Sequence, residues 1–204
     1  MPSSLHFIIV ATVAYAIGCI NTGYYLVRLL TDQDIRTMGS GSTGARNVSR
    51  SLGRQGFLFT FAGDTLKAVL AVAIPRYLHL GQSVELIAVL AVVAGHIWPV
   101  QLAFNGGKGI CTAFGAMMVY NYWFVLVYLV ITMALYPLLR KSSTAGIAAF
   151  VSLPFISIAM HRNNWGETIA MTLMTSLLLV AHRDNIRILA RPSTGPAPTP
   201  PSTT

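Results

Sequence analysis

The chain has 204 residues, 54% of them hydrophobic and 10% charged, and a formal net charge of +8. Soluble globular domains carry about 25% charged residues, so six acidic side chains exclude an ordinary water-soluble surface. The basic residues lie between long apolar blocks and not in a patch interleaved with aromatics, which excludes a nucleic-acid-binding design and points to membrane orientation or to anionic ligands.

A membrane span needs about 20 predominantly apolar residues. In chain order the apolar blocks predict spans near 5–27, 56–75, 84–103, 109–120, 122–139, 143–160 and 165–181. The first block, Phe7 to Ile20, has no A-x-A cleavage pattern after it and is followed by further spans, so it reads as a transmembrane helix and not a cleaved signal. The fourth block is short; if 109–139 is one bent element, the count changes. The fold class expected is therefore an all-α integral membrane protein of about seven transmembrane helices. With the N-terminus outside, Arg28, Arg36, Arg46, Arg50, Arg54, Lys108, Arg140, Lys141, Arg183, Arg187 and Arg191 fall inside, against Arg76 and Arg162 outside. That asymmetry predicts a cytoplasmic C-terminus. Residues 1–191 form one membrane domain, and 192–204, rich in Pro, Ser and Thr, read as a disordered cytoplasmic tail. Cys19 and Cys111 lie far apart inside apolar blocks, with neither disulfide nor metal spacing.

The first loop carries the densest chemistry. Gly39, Gly41 and Gly44 allow left-handed turns that aim successive N–H groups at one oxyanion, and Ser40, Ser42 and Thr43 add hydroxyls. Arg46, Asn47 and Arg50 follow where the chain turns helical, bringing cations and a helix N-terminus to the same point. A flexible orienting loop explains the glycines and serines alone; the added cations and amide favour a phosphate cradle. The second loop, Phe104-Asn-Gly-Gly-Lys-Gly109, is not a P-loop, because Gly109 and not Ser or Thr follows Lys108. Gly106, Gly107 and Gly109 around Lys108 suit either a phosphate site or a tight re-entrant turn.

His96 in the third span is either a packed imidazole or a functional one. Asp64 and Lys67, spaced i,i+3 in the second span, are expected to pair, with lining of an active site as the sharper alternative. The last span ends in His182-Arg-Asp-Asn-Ile-Arg187, which brings an imidazole and the amide of Asn185 to the face of the two loops. No histidine is followed five positions later by Asp, and no carboxylate pair or Ser-His-Asp set is suggested. The residues describe a phosphate-handling site without an evident base of its own.

Asp34 to Arg50, Gly63-Asp-Thr-Leu-Lys67, Gly95-His96 with Pro99, Phe104 to Thr112, and His182 to Leu189, together with Gly18 to Gly23, run through nearly the whole chain. In that order they resemble the bacterial acyl-phosphate-dependent glycerol-3-phosphate acyltransferase family, PlsY. The resemblance implies seven helices with the active site at the cytoplasmic face of the inner membrane. It implies attack by the sn-1 hydroxyl of glycerol 3-phosphate on a long-chain acyl phosphate, giving lysophosphatidic acid and phosphate in the first acylation of phospholipid synthesis. In that family the substrate's own phosphate has been proposed as base, which suits the missing carboxylates.

Carried over by position, the resemblance makes Ser40, Arg50, Lys108, His182 and Asn185 catalytic. Gly41, Ser42, Gly44, Arg46, Asn47, Gly106, Gly107 and Gly109 bind substrate phosphates, and Asp64, Lys67 and His96 give support. No cofactor or metal is expected. The partners implied are the two phosphorylated substrates, membrane lipid and the soluble enzyme that makes acyl phosphate.

The chain departs from the family pattern at Ser42 (usually Asn), Ala68 (Gly), Asn105 (Lys), Ile188 (Arg) and Gly195 (Glu). A competing reading is a lipid-binding or transport protein that kept the fold and lost turnover. The absence of an evident repeat, and the clustering of polar groups at one face, argue against it. An acyl-CoA-dependent enzyme would lack its histidine–aspartate pair here.

Overall fold

The computed structural model describes residues 2–184 and 186. Asn185, Arg187, Ile188, Arg191, Gly195 and the expected tail 192–204 lie outside the described residues. Among the described residues eight α-helices follow one another: α1 (Ser4–Cys19), α2 (Thr22–Thr31), α3 (Ala45–Tyr77), α4 (Gln82–Ile97), α5 (Ile110–Tyr120), α6 (Tyr122–Leu139), α7 (Ser142–Met160) and α8 (Trp165–Ala181). Short 3₁₀ turns at Ile35–Thr37 and Val100–Leu102 lie in the two loops.

Two elements differ from the sequence expectation. The first block is not one helix: Ile20 and Asn21 are extended, and α2 restarts at Thr22. Such a break inside an apolar segment requires protein partners for the freed carbonyls. They exist here, because Lys67 donates to the carbonyls of Gly18 and Ile20 and the Asn21 amide donates to that of Cys19.

The second block is longer than 56–75. Helix α3 runs 33 residues from Ala45, kinked at Gly53, where φ 63° and ψ −155° lie in a region open essentially to glycine alone. At 1.5 Å per residue the part after the kink, residues 54–77, runs about 36 Å, enough to cross the roughly 30 Å apolar thickness of a bilayer. The segment before the kink carries Arg46 and Arg50. The block 109–139 resolves into two helices, because Asn121 is extended and caps α6 by accepting from the Trp123 N–H at 3.0 Å.

The segments Ser4–Thr31, Ala45–Tyr77, Gln82–Leu102 and Tyr122–Leu139 are long and apolar enough to cross a membrane, and three shorter apolar helices accompany them. Helix α4 is the central one: Val84, Ala88, Val89, Val92 and Val93 are fully buried. It packs on α1 with the backbones touching, since a Cβ on Gly18 would collide with the Val92 carbonyl and one on Gly95 with that of Tyr15. Around this core Ile8, Leu66, Leu70, Val130, Met133 and Phe155 point outward, exposed. No strand occurs among the described residues. An apolar exterior on an all-helical scaffold makes the chain an integral membrane protein.

The helices place polar groups at two ends. At one, here the loop end, the two glycine-rich loops meet the last turn of α8. At the other, the distal end, the α3–α4, α5–α6 and α7–α8 connections meet.

Candidate active site at the loop end

The first loop is built by short-range hydrogen bonds. Asp34 caps the 3₁₀ turn by accepting from the Arg36 N–H at 2.9 Å, and the Arg36 guanidinium grips the same carboxylate, Nη2 to Oδ2 at 2.6 Å. That grip holds the Asp34 carboxyl below its usual range. Arg36 also donates to the Leu102 carbonyl at 2.8 Å and stacks over Tyr24, so it ties the first loop to the second. Gly39 and Gly41 take left-handed φ of 55° and 68°. Gly39 further admits no side chain, because a Cβ there would strike Asn47 Oδ1.

Asn47 is the hub of this loop. Its Oδ1 accepts from the Ser40 N–H at 2.9 Å and from Arg50 at 3.3 Å, while its Nδ2 donates to the carbonyls of Ile35, Met38 and Ser42. The sequence reading expected Asn47 among the phosphate ligands; its amide is instead engaged on both sides with the loop itself. Ser42 is likewise buried, with Oγ accepting from the Gly44 N–H.

The second loop is pinned to the end of α4. The Gly106 and Gly107 N–H groups donate to the Ile97 and His96 carbonyls at 3.1 and 3.0 Å, so both amides cap a helix C-terminus and are not aimed outward. The Gly107 backbone also lies against the His96 ring, where a Cβ would collide with Nε2. Gly109, at φ 84°, caps α5 and lies against Leu178 of α8. The two loops touch directly through the Thr43 N–H and the Gly106 carbonyl at 3.4 Å.

What remains turned outward is a set of cations and one hydroxyl. Ser40, Arg46 and Arg50 are exposed and Lys108 is half-buried. Ser40 Oγ makes no hydrogen bond among the described residues. Burial holds the Lys108 pKa below its usual value; Asp184 opposes that shift, while Arg50 and Arg46 add to it. These four charged side chains therefore share one electrostatic neighbourhood.

His182, 1% exposed, completes it. Its Nδ1 lies 2.8 Å from the Leu178 carbonyl, which can only accept, so Nδ1 carries the proton and Nε2 keeps a lone pair when the ring is neutral. Burial, with Lys108 nearby, lowers its pKa from 6.5, which keeps the ring neutral at pH 7. Such a set can neutralise phosphate groups and offer one neutral acceptor to a hydroxyl. No group of three His, Cys, Asp or Glu that would hold a metal occurs among the described residues.

A family model described as glycerol-3-phosphate acyltransferase matches residues 8–191. The chain belongs to that family. Similar relatives include glycerol-3-phosphate acyltransferase 1 of Desulfitobacterium hafniense, 38% identical over 85% of this chain and 86% of the relative. The glycerol-3-phosphate acyltransferase of Thermoanaerobacter pseudethanolicus is 39% identical over 91% of this chain and 92% of its own length. Among solved structures, the crystal structure of PlsY (YgiH), an integral membrane glycerol 3-phosphate acyltransferase, in its glycerol 3-phosphate form is similar with a TM-score of 0.83. It shares 28% identity over 90% of this chain and 91% of that chain. Its lysophosphatidic acid form is similar with a TM-score of 0.78.

Within this family member, the structure gathers Ser40, Gly41, Ser42, Gly44, Arg46, Asn47, Arg50, Gly106, Gly107, Lys108, Gly109 and His182 at one end of the bundle. Asn185 lies outside the described residues. Asp64, Lys67 and His96 sit beneath the loops, buried, with Lys67 Nζ 3.1 Å from Asp64 Oδ1 and 2.9 Å from His96 Nδ1. The ion pair expected from the i,i+3 spacing is thus present.

The sequence reading missed a second polar cluster, at the distal end. Buried Glu167 accepts from Tyr120 at 2.6 Å and from Ser157 at 2.9 Å, and pairs with His161 at 2.9 Å. Arg76 and Glu85 pair beside it at 3.2 Å, lining a depression of about 620 Å³. Two isolated carboxylates in apolar blocks were the available signal.

Proposed function

We propose that the protein transfers a long-chain acyl group from acyl phosphate to the sn-1 hydroxyl of glycerol 3-phosphate, yielding lysophosphatidic acid and inorganic phosphate. The gathering of Arg46 and Arg50 around Lys108, which itself lies beside the neutral ring of His182, with no carboxylate pair there among the described residues, supports this reading. Both substrates bring phosphates, so a surface of exposed and half-buried cations suits both. The donor is a mixed anhydride whose phosphate leaves readily, and positioning with charge neutralisation then supplies most of the catalysis.

In this reading Arg50 and Lys108 neutralise the two phosphates, and Ser40 Oγ donates to a phosphate oxygen beside Arg50. His182 Nε2 accepts a hydrogen bond from the attacking hydroxyl and orients it at the acyl carbon. The new ester C–O bond forms as the acyl C–O bond to phosphate breaks, and the hydroxyl proton passes to a phosphate oxygen. Asn47, Gly106 and Gly107 shape the loops, with Gly41, Gly44 and Gly109 as the turns between the ligands.

The same reading puts the loop end at the cytoplasmic face of a bacterial inner membrane. The chain then crosses seven times, N-terminus outside, and draws its donor from a soluble enzyme that makes acyl phosphate. The basic asymmetry of the sequence supports that orientation.

The test is an assay of purified protein with labelled glycerol 3-phosphate, offered acyl phosphate and acyl-CoA in separate reactions. Lysophosphatidic acid from acyl phosphate alone is expected. Product from acyl-CoA alone overturns the donor assignment, and no product from either in folded protein favours a lipid-binding role.

A further inference from the structure

The buried chain beneath the loops reaches both of them. Asp64 and Lys67 fill the break between α1 and α2 with matching charge. The Asp64 carboxylate accepts from the Thr22 N–H at the start of α2, at 3.3 Å, and the Lys67 ammonium donates to the Gly18 and Ile20 carbonyls at the end of α1. Anion at a helix N-terminus and cation at a C-terminus is the arrangement the helix dipoles favour. From the break, the next residue leads straight to the first loop: Asn21 Oδ1 accepts from Thr43 Oγ1 at 2.6 Å, with both side chains fully buried.

Lys67 also faces His96 Nδ1 at 2.9 Å. An ammonium has only donors, so Nδ1 is the lone-pair nitrogen and the ring proton sits on Nε2. Nε2 lies against the Gly107 backbone, and the His96 carbonyl accepts from the Gly107 N–H. One buried cation therefore has a connection of two or three side chains to each loop, and the two loops carry different members of the cationic set.

We propose that Lys67 is a positioning residue that sets the spacing between the two phosphate-binding loops. It acts through Ile20, Asn21 and Thr43 on the first loop and through His96 and Gly107 on the second. The inference rests on the acyltransferase reading above. It gives Lys67 an effect on both substrates and His96 an effect on one. A displacement of about 1 Å at a reacting pair costs on the order of 100-fold in rate, so a slack spacing registers in kinetics before it registers in folding.

The experiment compares KM for each substrate, kcat and the melting temperature across a small set of variants. Lys67→Met alone leaves the Asp64 carboxylate buried without its partner and is expected to unfold, so the informative variant is Asp64→Asn with Lys67→Met, which removes both charges. Its expected result is a rise in KM for both substrates and a loss of at least about tenfold in kcat/KM, with a cooperative melt retained. His96→Leu is expected to raise KM for one substrate only, the same one whose KM rises in Lys108→Ala.

His96→Asn, whose Oδ1 takes the place of Nδ1 and accepts from Lys67, is expected to recover most of that loss; His96→Gln is not. The inference is overturned if the double variant leaves both KM values within about twofold of wild type, or if His96→Asn is no better than His96→Leu. If the wild-type protein makes no lysophosphatidic acid from either donor, the acyltransferase reading fails and the inference with it; if Lys108→Ala leaves turnover and both KM values unchanged, the second loop binds no substrate phosphate and the inference alone fails.

Discussion

The two ends of the bundle collect the charged side chains of a charge-poor chain in opposite ways. At the distal end the acids have protein partners: Glu167 meets Tyr120, Ser157 and His161, and Glu85 meets Arg76, which also donates to the Val119 and Tyr120 carbonyls. At the loop end, among the described residues, Arg46, Arg50 and Lys108 share one neighbourhood with Asp184, three cations to one acid. Buried polar groups that satisfy each other hold helices together. A cluster of like charges at an exposed surface raises the local positive potential and favours an anionic ligand. The distal end therefore reads as a fastening of α4, α5, α7 and α8, and the loop end as a binding surface.

That contrast can be broken experimentally, and the largest effect is expected at the loop end. Arg50→Ala and Lys108→Ala should each lower kcat/KM by 100-fold or more, about 3 kcal/mol of lost transition-state stabilisation, with melting temperatures near wild type. Steady-state kinetics with acyl phosphate would show it; near-normal kcat and KM in both variants would make the loop end no different in kind from the distal one.

Gly107→Ala tests the fit of the second loop. The added methyl collides with the buried His96 ring, so a loss of about tenfold or more in kcat/KM is expected from a displaced loop, and unchanged kinetics would show that the ring yields.

The converse is expected at the distal end. Glu167→Ala leaves Tyr120, Ser157 and His161 facing an emptied site, a cost of about 1–3 kcal/mol for a stranded buried group. A lowered melting temperature, followed by fluorescence in detergent, should accompany nearly normal turnover of the folded protein. Loss of turnover without loss of stability would reverse the comparison.

A smaller and finer effect concerns His182. Its pKa is lowered from 6.5 by burial and by Lys108, so more than half of the rings are neutral at pH 6.5 and the rest of the titration lies at lower pH. An NMR titration of labelled histidine, with His182→Asn identifying the signal, should give a midpoint below 6.5. In Lys108→Ala the midpoint should rise toward 6.5, since one depressing charge is gone.

The sequence was most legible where a property is local. Span positions followed from apolar runs, and the last three spans agree with α6, α7 and α8 to within a residue at each end. The helical turn after Gly44 and the Asp64–Lys67 pair also followed, because a helix dictates what lies three or four residues away. Glycine placement was legible only in part. Gly39 and Gly41 do take left-handed φ, whereas Gly44 is extended, at φ −74°, where it begins α3. Gly106 and Gly107 suit either a phosphate site or a tight turn on sequence alone, and in the structure their amides cap α4. The choice between those uses depends on where the end of α4 lies, and no local pattern reports that.

By itself, then, the amino-acid order determined the solvent in which the chain folds, the run of helices, the family, and the two basic loops that carry the proposed chemistry. Hydropathy and short-range hydrogen-bonding geometry are written residue by residue, so they are readable without a fold. Only the tertiary structure decided that the first span is broken at Ile20, that Lys67 closes that break across 49 residues to Gly18, and that His96 supports Gly107. It alone joined Glu167 to Tyr120, 47 residues away. Those contacts exist because a polar group inside an apolar scaffold must find its partner wherever helix packing brings one within about 3 Å.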